Sequence, residues 1–196
     1  LVVADNCSDG TADVARRFGV EVTERENLQF RGKGYALAHG LDVLAGDPPD
    51  AVIMIDADCT ASHGAVAALK AKAVEAQRPI QTLNLMRAPQ GHEQRFAVAE
   101  FAWRIKNQLR PSGLNRLGLP CQLMGTGMAF PWPLARGTNF ASGNIVEDLE
   151  LGIRMARNGV APRFFTGATV FSEFPLSVEG EISQRRRWEG GSFSML

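Results

Sequence analysis

One short segment constrains the fold of this chain more than any other. Residues 51–55 (AVIMI) form a continuous apolar run, which is typical of a strand buried on both faces of a parallel sheet. A turn is predicted just before it, at residues 47–50 (DPPD), because two prolines remove backbone hydrogen-bond donors. A strand buried on both faces needs a layer of helices on each side, so this segment favours an α/β fold.

Strand-like and helix-like segments alternate along the rest of the chain. The pattern predicts strands at 1–5, 20–23, 51–55, 80–86, 122–130 and 163–171, helices at 11–18, 34–45, 65–77, 93–109, 147–158 and 179–188, and an irregular Gly/Pro/Asn-rich connection at 110–120. This alternation indicates βαβ units and a mostly parallel sheet flanked by helices. Ligands of such sheets bind beyond the carboxyl ends of the strands, where Asp5, Asp56 and Asp58 are predicted to lie.

Composition limits the kinds of protein this chain can be. It has 196 residues, of which 45% are hydrophobic and 21% charged, as expected for one folded domain rather than a disordered chain. Lys plus Arg equals Asp plus Glu, 21 each, so the net charge of zero argues against nucleic acid as a partner. The sequence opens at Leu1 inside a strand pattern and without Met, so we expect it to be part of a longer protein.

Asp56 and Asp58 follow the apolar strand directly. Residues i and i+2 of an extended segment point to the same side, so both carboxylates can face one divalent cation, as in a metal–diphosphate site. A solvated turn is the simplest alternative. A phosphatase of the haloacid-dehalogenase type, with Asp56 as nucleophile, is another. Such a phosphatase needs an acidic Gly-Asp string later in the chain, whereas the string found here, at residues 46–50, comes earlier.

Two further positions could contact a nucleotide. Lys33 lies between two glycines just before a predicted helix, where amide donors, the helix dipole and the ammonium group can all face a phosphate. Asp5 ends the first strand, and its carboxylate can accept a ring N–H of a nucleobase. A structural alternative remains open for each position. Lys33 can be a solvated loop lysine, and Ser8 or Asp9, in the segment after Asp5, can cap a helix.

Two strings in the second half could carry catalysis. Glu147 and Asp148 open a predicted helix, where the helix dipole favours acids and where Asp148 could also act as a general base. On a helix, Gln184, Arg187 and Trp188 share one face, which suits a phosphate and a sugar ring. The alternative for this last string is a basic amphipathic helix on anionic lipid.

Taken together and in order, these strings resemble the family-two inverting glycosyltransferases with the GT-A fold, particularly the membrane-associated, cellulose- and hyaluronan-synthase-like branch. The matching strings are VADNCSDGT (3–11), GKG (32–34), DAD (56–58), GTGM (125–128), VED (146–148) and QRRRW (184–188). The resemblance implies a Rossmann-like, mostly parallel sheet flanked by helices. It also implies that the family's first strand precedes Leu1 and that its membrane segments follow Leu196.

The resemblance implies a donor site in the first half of the chain. Asp5 would contact the uracil of a UDP-sugar, and Lys33 would lie near the nucleotide or its phosphates. Asp56 and Asp58 would bind Mg²⁺ or Mn²⁺ together with the diphosphate, and Arg187 would hold the diphosphate from the other half.

The acceptor residues implied by the resemblance lie in the second half. Asp148 would be the catalytic base, with Glu147 beside it. Gly127 would shape the acceptor site, and Gln184 and Trp188 would hold the acceptor end of the glycan.

The expected function follows from these roles. We expect one catalytic domain over residues 1–196, with a nucleotide-sugar half (1–87) and an acceptor half (88–196). It would transfer a sugar, with inversion and with a metal, from a UDP-sugar to a polysaccharide or glycolipid at the cytoplasmic face of the inner membrane. Such a reaction needs one base and one group that stabilises the leaving diphosphate. The alternatives are the phosphatase described above and a non-catalytic module that binds nucleotides or glycans.

Overall fold

The computed structural model describes residues 1–141, 147–177, 179, 180 and 182. Residues 179, 180 and 182 are helical, in agreement with the start of the predicted last helix. The remainder of that helix, including Gln184, Arg187 and Trp188, lies outside the described residues.

The described elements alternate much as the sequence predicts. The strands are β1 (Val2–Asp5), β2 (Val22–Arg25), β3 (Ala51–Met54), β4 (Thr60–Ala61), β5 (Ile80–Arg87), β6 (Met128–Pro131) and β7 (Arg163–Glu173). The helices are α1 (Thr11–Arg17), α2 (Lys33–Leu44), α3 (Ala65–Ala76), α4 (Glu93–Arg104), α5 (Arg110–Arg116), α6 (Trp132–Arg136) and α7 (Glu147–Arg157), and a π turn (Ile105–Leu109) joins α4 to α5.

The strands form two sheets among the described residues. β1 and β2 pair in parallel, and the other five strands form a sheet with the order β3-β6-β5-β7-β4. In this sheet β5 and β7 are parallel. β6 is antiparallel to its two neighbours, β3 and β5, and β4 is antiparallel to β7. The α/β class is confirmed, but the sheet is mixed rather than mostly parallel.

The position of β6 explains this correction. β3, β5 and β7 run in one direction, as βαβ units require. β6 enters between β3 and β5 in the opposite direction, so the two strands joined through α3 do not pair with each other. Periodicity predicts that a strand exists, but not which neighbours it pairs with.

Helices cover both faces of β3, as its apolar sequence predicts. Val52 and Met54 pack into one core cluster, which also contains residues of α2, β6 and α7: Leu41, Phe130, Leu151 and Met155. Ala51 and Ile53 pack into a second cluster with α3 and β5 residues: Ala65, Leu69, Ala73 and Ile80. Alternate side chains of a strand point to opposite faces, so β3 is buried on both sides.

Two predicted segments differ from the structure. The connection predicted at 110–120 contains a helix, α5, because Pro111 lies in the first turn after the π turn, where a missing N–H is tolerated. The strand predicted at 122–130 begins at Met128, because Gly125 (φ +81°) and Gly127 (φ +64°) adopt left-handed backbone conformations, which interrupt a regular strand. Within the described part of the chain, no helix is both long enough and apolar enough to cross a lipid bilayer.

A buried glutamine on β5 fixes the loop that replaces the start of this strand. The Nε2 of Gln81 donates to the carbonyl of Thr126 at 2.9 Å, and its Oε1 accepts from the Met124 amide at 2.8 Å. The next residue of β5, Thr82, donates its amide to the Gly127 carbonyl at 2.9 Å. The loop at 124–127 is therefore bound to the centre of the sheet.

Replacing Gln81 by Leu is expected to lower the free energy of unfolding by about 3 kcal/mol, because it leaves the Met124 amide and the Thr126 carbonyl unpaired in a buried place. Urea unfolding measures this change. Gln94→Leu, at an exposed position of α4, is the control and should alter stability by less than about 0.5 kcal/mol. Equal losses in the two variants would contradict the role of Gln81.

Candidate active site

A lysine at the start of α2 joins three separate parts of the chain. The Nζ of Lys33 donates to the Oδ1 of Asp56, just beyond β3, and to the carbonyl oxygen of Gly125 at 2.7 Å. The amide of Asp56 donates to the Oγ1 of Thr126 at 3.1 Å. The Lys33 and Asp56 side chains are 33% and 40% exposed, so a ligand can still reach both.

Asp148 lies beside this contact, at the start of α7. A Cβ built on Gly125 would lie 3.3 Å from the Oδ2 of Asp148 and 3.6 Å from the Nζ of Lys33. The absence of a side chain at Gly125 thus lets a carboxylate and an ammonium group from distant parts of the sequence approach each other. Glu147 precedes Asp148 in the same helix, and its side chain lies outside the described part.

Burial sets the proton affinity of Asp148. Desolvation raises the pKa of its carboxyl group above the ordinary value for aspartate. Two contacts oppose this rise in pKa: the Leu149 amide donates to Oδ1 at 2.9 Å, and Lys33 carries a positive charge nearby. The negative charge of Asp56 adds to the rise. A carboxylate with a raised pKa is a better proton acceptor near neutral pH, as a general base needs to be.

A possible metal site lies next to Lys33. The ligand atoms of Asp56, Asp58 and Cys59 lie within 4.8 Å of one another. The two carboxylates fit Mg²⁺ or Mn²⁺, which prefer oxygen ligands. The Cys59 thiol does not add to this fit, because sulfur is a soft ligand and burial raises the pKa of this thiol. Asp58 is the exposed acid of the pair, whereas Lys33 already occupies one oxygen of Asp56. The sequence reasoning missed Cys59, although it directly follows Asp58.

Asp5 has a different partner from the one expected. The Nη1 of Arg25 lies 2.5 Å from the Oδ1 of Asp5, and both side chains are largely buried. The same guanidinium donates from Nη2 to the Phe30 carbonyl at 2.8 Å. The register of β1 against β2 places Asp5 directly opposite Arg25. A uracil at Asp5, which stays a prediction, would therefore share this carboxylate with Arg25.

Gly127 is buried at the start of β6. A Cβ at this position would come within 2.6 Å of the Thr82 side chain and 3.1 Å of the Val170 side chain. Packing against β5 and β7 therefore explains a glycine here without a ligand. Its expected role at the acceptor site stays a prediction.

The comparison with known proteins assigns the family. Residues 51–196 match the family described as Glycosyl transferase family group 2. The chain belongs to this family. No curated protein matches the chain. The assignment confirms the resemblance to family-two glycosyltransferases and favours glycosyl transfer over the phosphatase alternative.

A further cation of this glycosyltransferase lies near Asp148. Lys106, on the π turn, has its Nζ 5.2 Å from the centre of the Trp103 ring. Partial burial of the ammonium group and the charge of Arg110 lower the pKa of Lys106, and the Asp148 carboxylate acts in the opposite direction. No sequence pattern singles out Lys106, because its proximity to Asp148 depends on how the π turn and α7 are placed.

Gly125→Ala tests whether the space between Asp148 and Lys33 matters for transfer. The added methyl group would lie 3.3 Å from the Asp148 carboxylate, which would have to shift by a few tenths of an ångström, and in ordinary contact with the Lys33 ammonium group at 3.6 Å. Because the reacting groups must be closely positioned, we expect the rate of sugar transfer to fall about 10-fold. Gly118→Ala is the matched control, because Gly118 has a similar φ of +71° but open space around its Cβ position.

Both variants should lose about 1–2 kcal/mol of stability through backbone strain alone. Denaturant unfolding and a transfer assay on each variant separate the two effects. If Gly118→Ala reduced transfer as much as Gly125→Ala, strain rather than the lost contact would be the cause.

Proposed function

We propose that this chain is the catalytic domain of an inverting, metal-dependent glycosyltransferase of the cellulose- and hyaluronan-synthase-like branch. It transfers a sugar from a UDP-sugar to a polysaccharide or glycolipid at the cytoplasmic face of the inner membrane. The observation that supports this most strongly is the convergence of Lys33, Asp56 and Asp148 around Gly125, in a chain of the family-two group. These residues provide a phosphate-binding side and a proton-accepting side within one small volume.

The donor side belongs to residues 1–87 in this proposal. Asp58 and Asp56, with Cys59 beside them, would hold Mg²⁺ or Mn²⁺, and the ion would neutralise charge on the diphosphate. Lys33 offers an ammonium group to the same phosphates from the start of α2, where the helix dipole also favours an anion. Asp5 contacts the uracil, and Arg187 binds the diphosphate from residues 88–196.

On the acceptor side, Asp148 performs the chemical step. Its carboxylate removes the proton of an acceptor hydroxyl group while that oxygen forms a bond to the anomeric carbon. The bond from this carbon to the diphosphate breaks on the opposite face, so the configuration inverts and the diphosphate leaves without needing a proton. A single carboxylate base is sufficient, unlike the pair of carboxyl groups in a glycosidase.

The remaining acceptor contacts are also part of the proposal. Glu147 adjoins the base at the start of α7, and Gly127 belongs to the loop held by Gln81. Gln184 and Trp188 hold the end of the growing glycan, by analogy with the family motif they match.

Replacing Asp148 by Asn should reduce transfer at least about 100-fold, because the base is lost while the shape of the side chain is retained. The affinity for UDP, measured by calorimetry, should stay the same. Asp13→Asn, an exposed acid of α1, is the control and should leave both properties unchanged.

Transfer retained by Asp148→Asn in the full-length protein would refute the assignment of the base. If the unaltered protein bound UDP-sugars but never turned any of them over, the non-catalytic binding module would be favoured instead. A panel of nucleotide-sugars with a radiolabelled sugar distinguishes these outcomes.

A second experiment tests the metal site through binding rather than activity. Calorimetry should show that UDP binds more tightly with Mn²⁺ than without it. Asp58→Asn should reduce this metal-dependent gain in UDP affinity at least about tenfold. Asp47→Asn, an exposed acid in the turn before β3, should keep the gain in full. UDP binding that does not depend on the metal in the unaltered protein would contradict the assignment of Asp56 and Asp58.

A further inference from the structure

The carboxylate of Asp5 has one of its two oxygens left for a ligand. Arg25, the last residue of β2, lies opposite Asp5 in the strand register, and its Nη1 holds Oδ1 at 2.5 Å. The other oxygen, Oδ2, has no hydrogen-bond partner among the described residues, and 16% of the Asp5 side chain is exposed. A single carboxylate oxygen can therefore accept an N–H group from outside.

The guanidinium group of Arg25 is fixed by further contacts. Its Nη2 donates to the carbonyl of Phe30 at 2.8 Å, and its central carbon lies 5.7 Å from the centre of the Tyr35 ring. The Phe30 and Tyr35 rings also contact each other, with 5.4 Å between their centres. The planar fork would lose these contacts if it turned away, so Oδ1 of Asp5 stays occupied when a ligand enters.

The loop after β2 keeps the Phe30 carbonyl within reach of Arg25. The Asn27 amide donates to the Oδ1 of Asn6 at 2.8 Å, which ties the loop to the end of β1. The Asn27 side chain then accepts the amide of Phe30 at 2.9 Å. The position of the guanidinium group is therefore set by the backbone of two neighbouring segments and not only by its ion pair.

The same guanidinium group offers donors beside the free oxygen of Asp5. Each of its two terminal nitrogens carries two hydrogens. Nη1 uses one hydrogen for Asp5 and Nη2 uses one for Phe30, and the other hydrogen of each has no acceptor among the described residues. Asp5 and Arg25 together therefore present an acceptor next to a donor at the carboxyl end of β1.

Nucleobases differ in how well their edges fit this pair. Uracil has one ring N–H between two carbonyl oxygens, so it can donate to a single carboxylate oxygen and accept from a neighbouring guanidinium. Guanine has a ring N–H next to an amino group, and a carboxylate with both oxygens free accepts these two donors together. An occupied Oδ1 removes the second of these contacts and favours uracil.

We propose that Arg25 is a specificity-determining residue, which selects uracil over guanine in the donor nucleotide by occupying one oxygen of Asp5. This rests on the proposed function, in which Asp5 contacts the base. It adds a physical reason why the donor carries uridine rather than guanosine. Selection of this kind acts by giving the competitor a poor fit as well as by contacts to the correct ligand.

Calorimetry with UDP and GDP, each in the presence of Mn²⁺, tests the proposal. The unaltered protein should bind UDP more tightly than GDP. Arg25→Met should reduce this preference at least about tenfold, because it frees Oδ1 for a second N–H group and removes a donor to uracil. Arg25→Lys should keep more of the preference than Arg25→Met does, since its ammonium group can still occupy Oδ1.

Arg16→Met is the matched control, since Arg16 also pairs with an acid of β2, Glu24, but at the exposed surface. It should leave the preference for UDP unchanged. Thermal melting followed by circular dichroism shows whether each variant is folded at the temperature of the binding measurements.

A measurement on the unaltered protein covers the case in which loss of Arg25 prevents folding. In two analogues of UDP, sulfur replaces either the O2 or the O4 atom of uracil, and sulfur accepts hydrogen bonds more weakly than oxygen. At least one analogue should bind about fivefold or more weakly than UDP. If both bound as tightly as UDP, no donor of the protein would reach the base and the proposal would be wrong.

The outcomes separate this proposal from the proposed function. If the unaltered protein bound GDP as tightly as UDP, or if a folded Arg25→Met variant kept the full preference for UDP, Arg25 would not determine specificity, whereas the transfer reaction would be untouched. An unaltered protein that bound neither nucleotide would contradict the proposed function and, with it, this role of Arg25.

Discussion

The candidate site depends on the contact of Lys33 with Asp56 and the Gly125 carbonyl. It connects the start of α2, the end of β3 and the loop before β6, which are far apart in the sequence. A partly exposed ion pair of this kind contributes at most about 1 kcal/mol to stability, so its importance is positional. It holds an ammonium group and a carboxylate beside Asp148, where the proposed function places the phosphates of the donor.

The fold holds the partners of this contact in place more firmly than the contact itself does. The strand that ends two residues before Asp56 is buried on both faces, and Gln81 ties the loop around Gly125 to the centre of the sheet. Asp148 lies in the first turn of a helix whose Leu151 and Met155 are part of the core. Burial raises the pKa of Asp148 and Lys33 opposes the rise, so the carboxylate is less acidic than usual while its position is fixed by packing.

Local patterns in the sequence predicted the parts of the structure that local physics determines. The apolar run before Asp56 and the helix periodicities gave the α/β class and most element boundaries. Three features were missed because each depends on residues that are distant in sequence. They are the antiparallel insertion of β6, the pairing of Arg25 with Asp5 and the anchoring of the loop by Gln81. α5 was missed for a different reason, since Pro111 indicates a break unless the preceding π turn is known.

The central claim is that Lys33 and Asp148 act on each other across Gly125. The pH dependence of kcat/KM for Lys33→Met tests it most directly, because the acid limb of that profile reports the pKa of the base in the free enzyme. Lys33 lowers the pKa of Asp148, so its removal should move the acid limb to higher pH, whatever the loss in overall rate. A limb that stays in place, or moves to lower pH, would contradict the account.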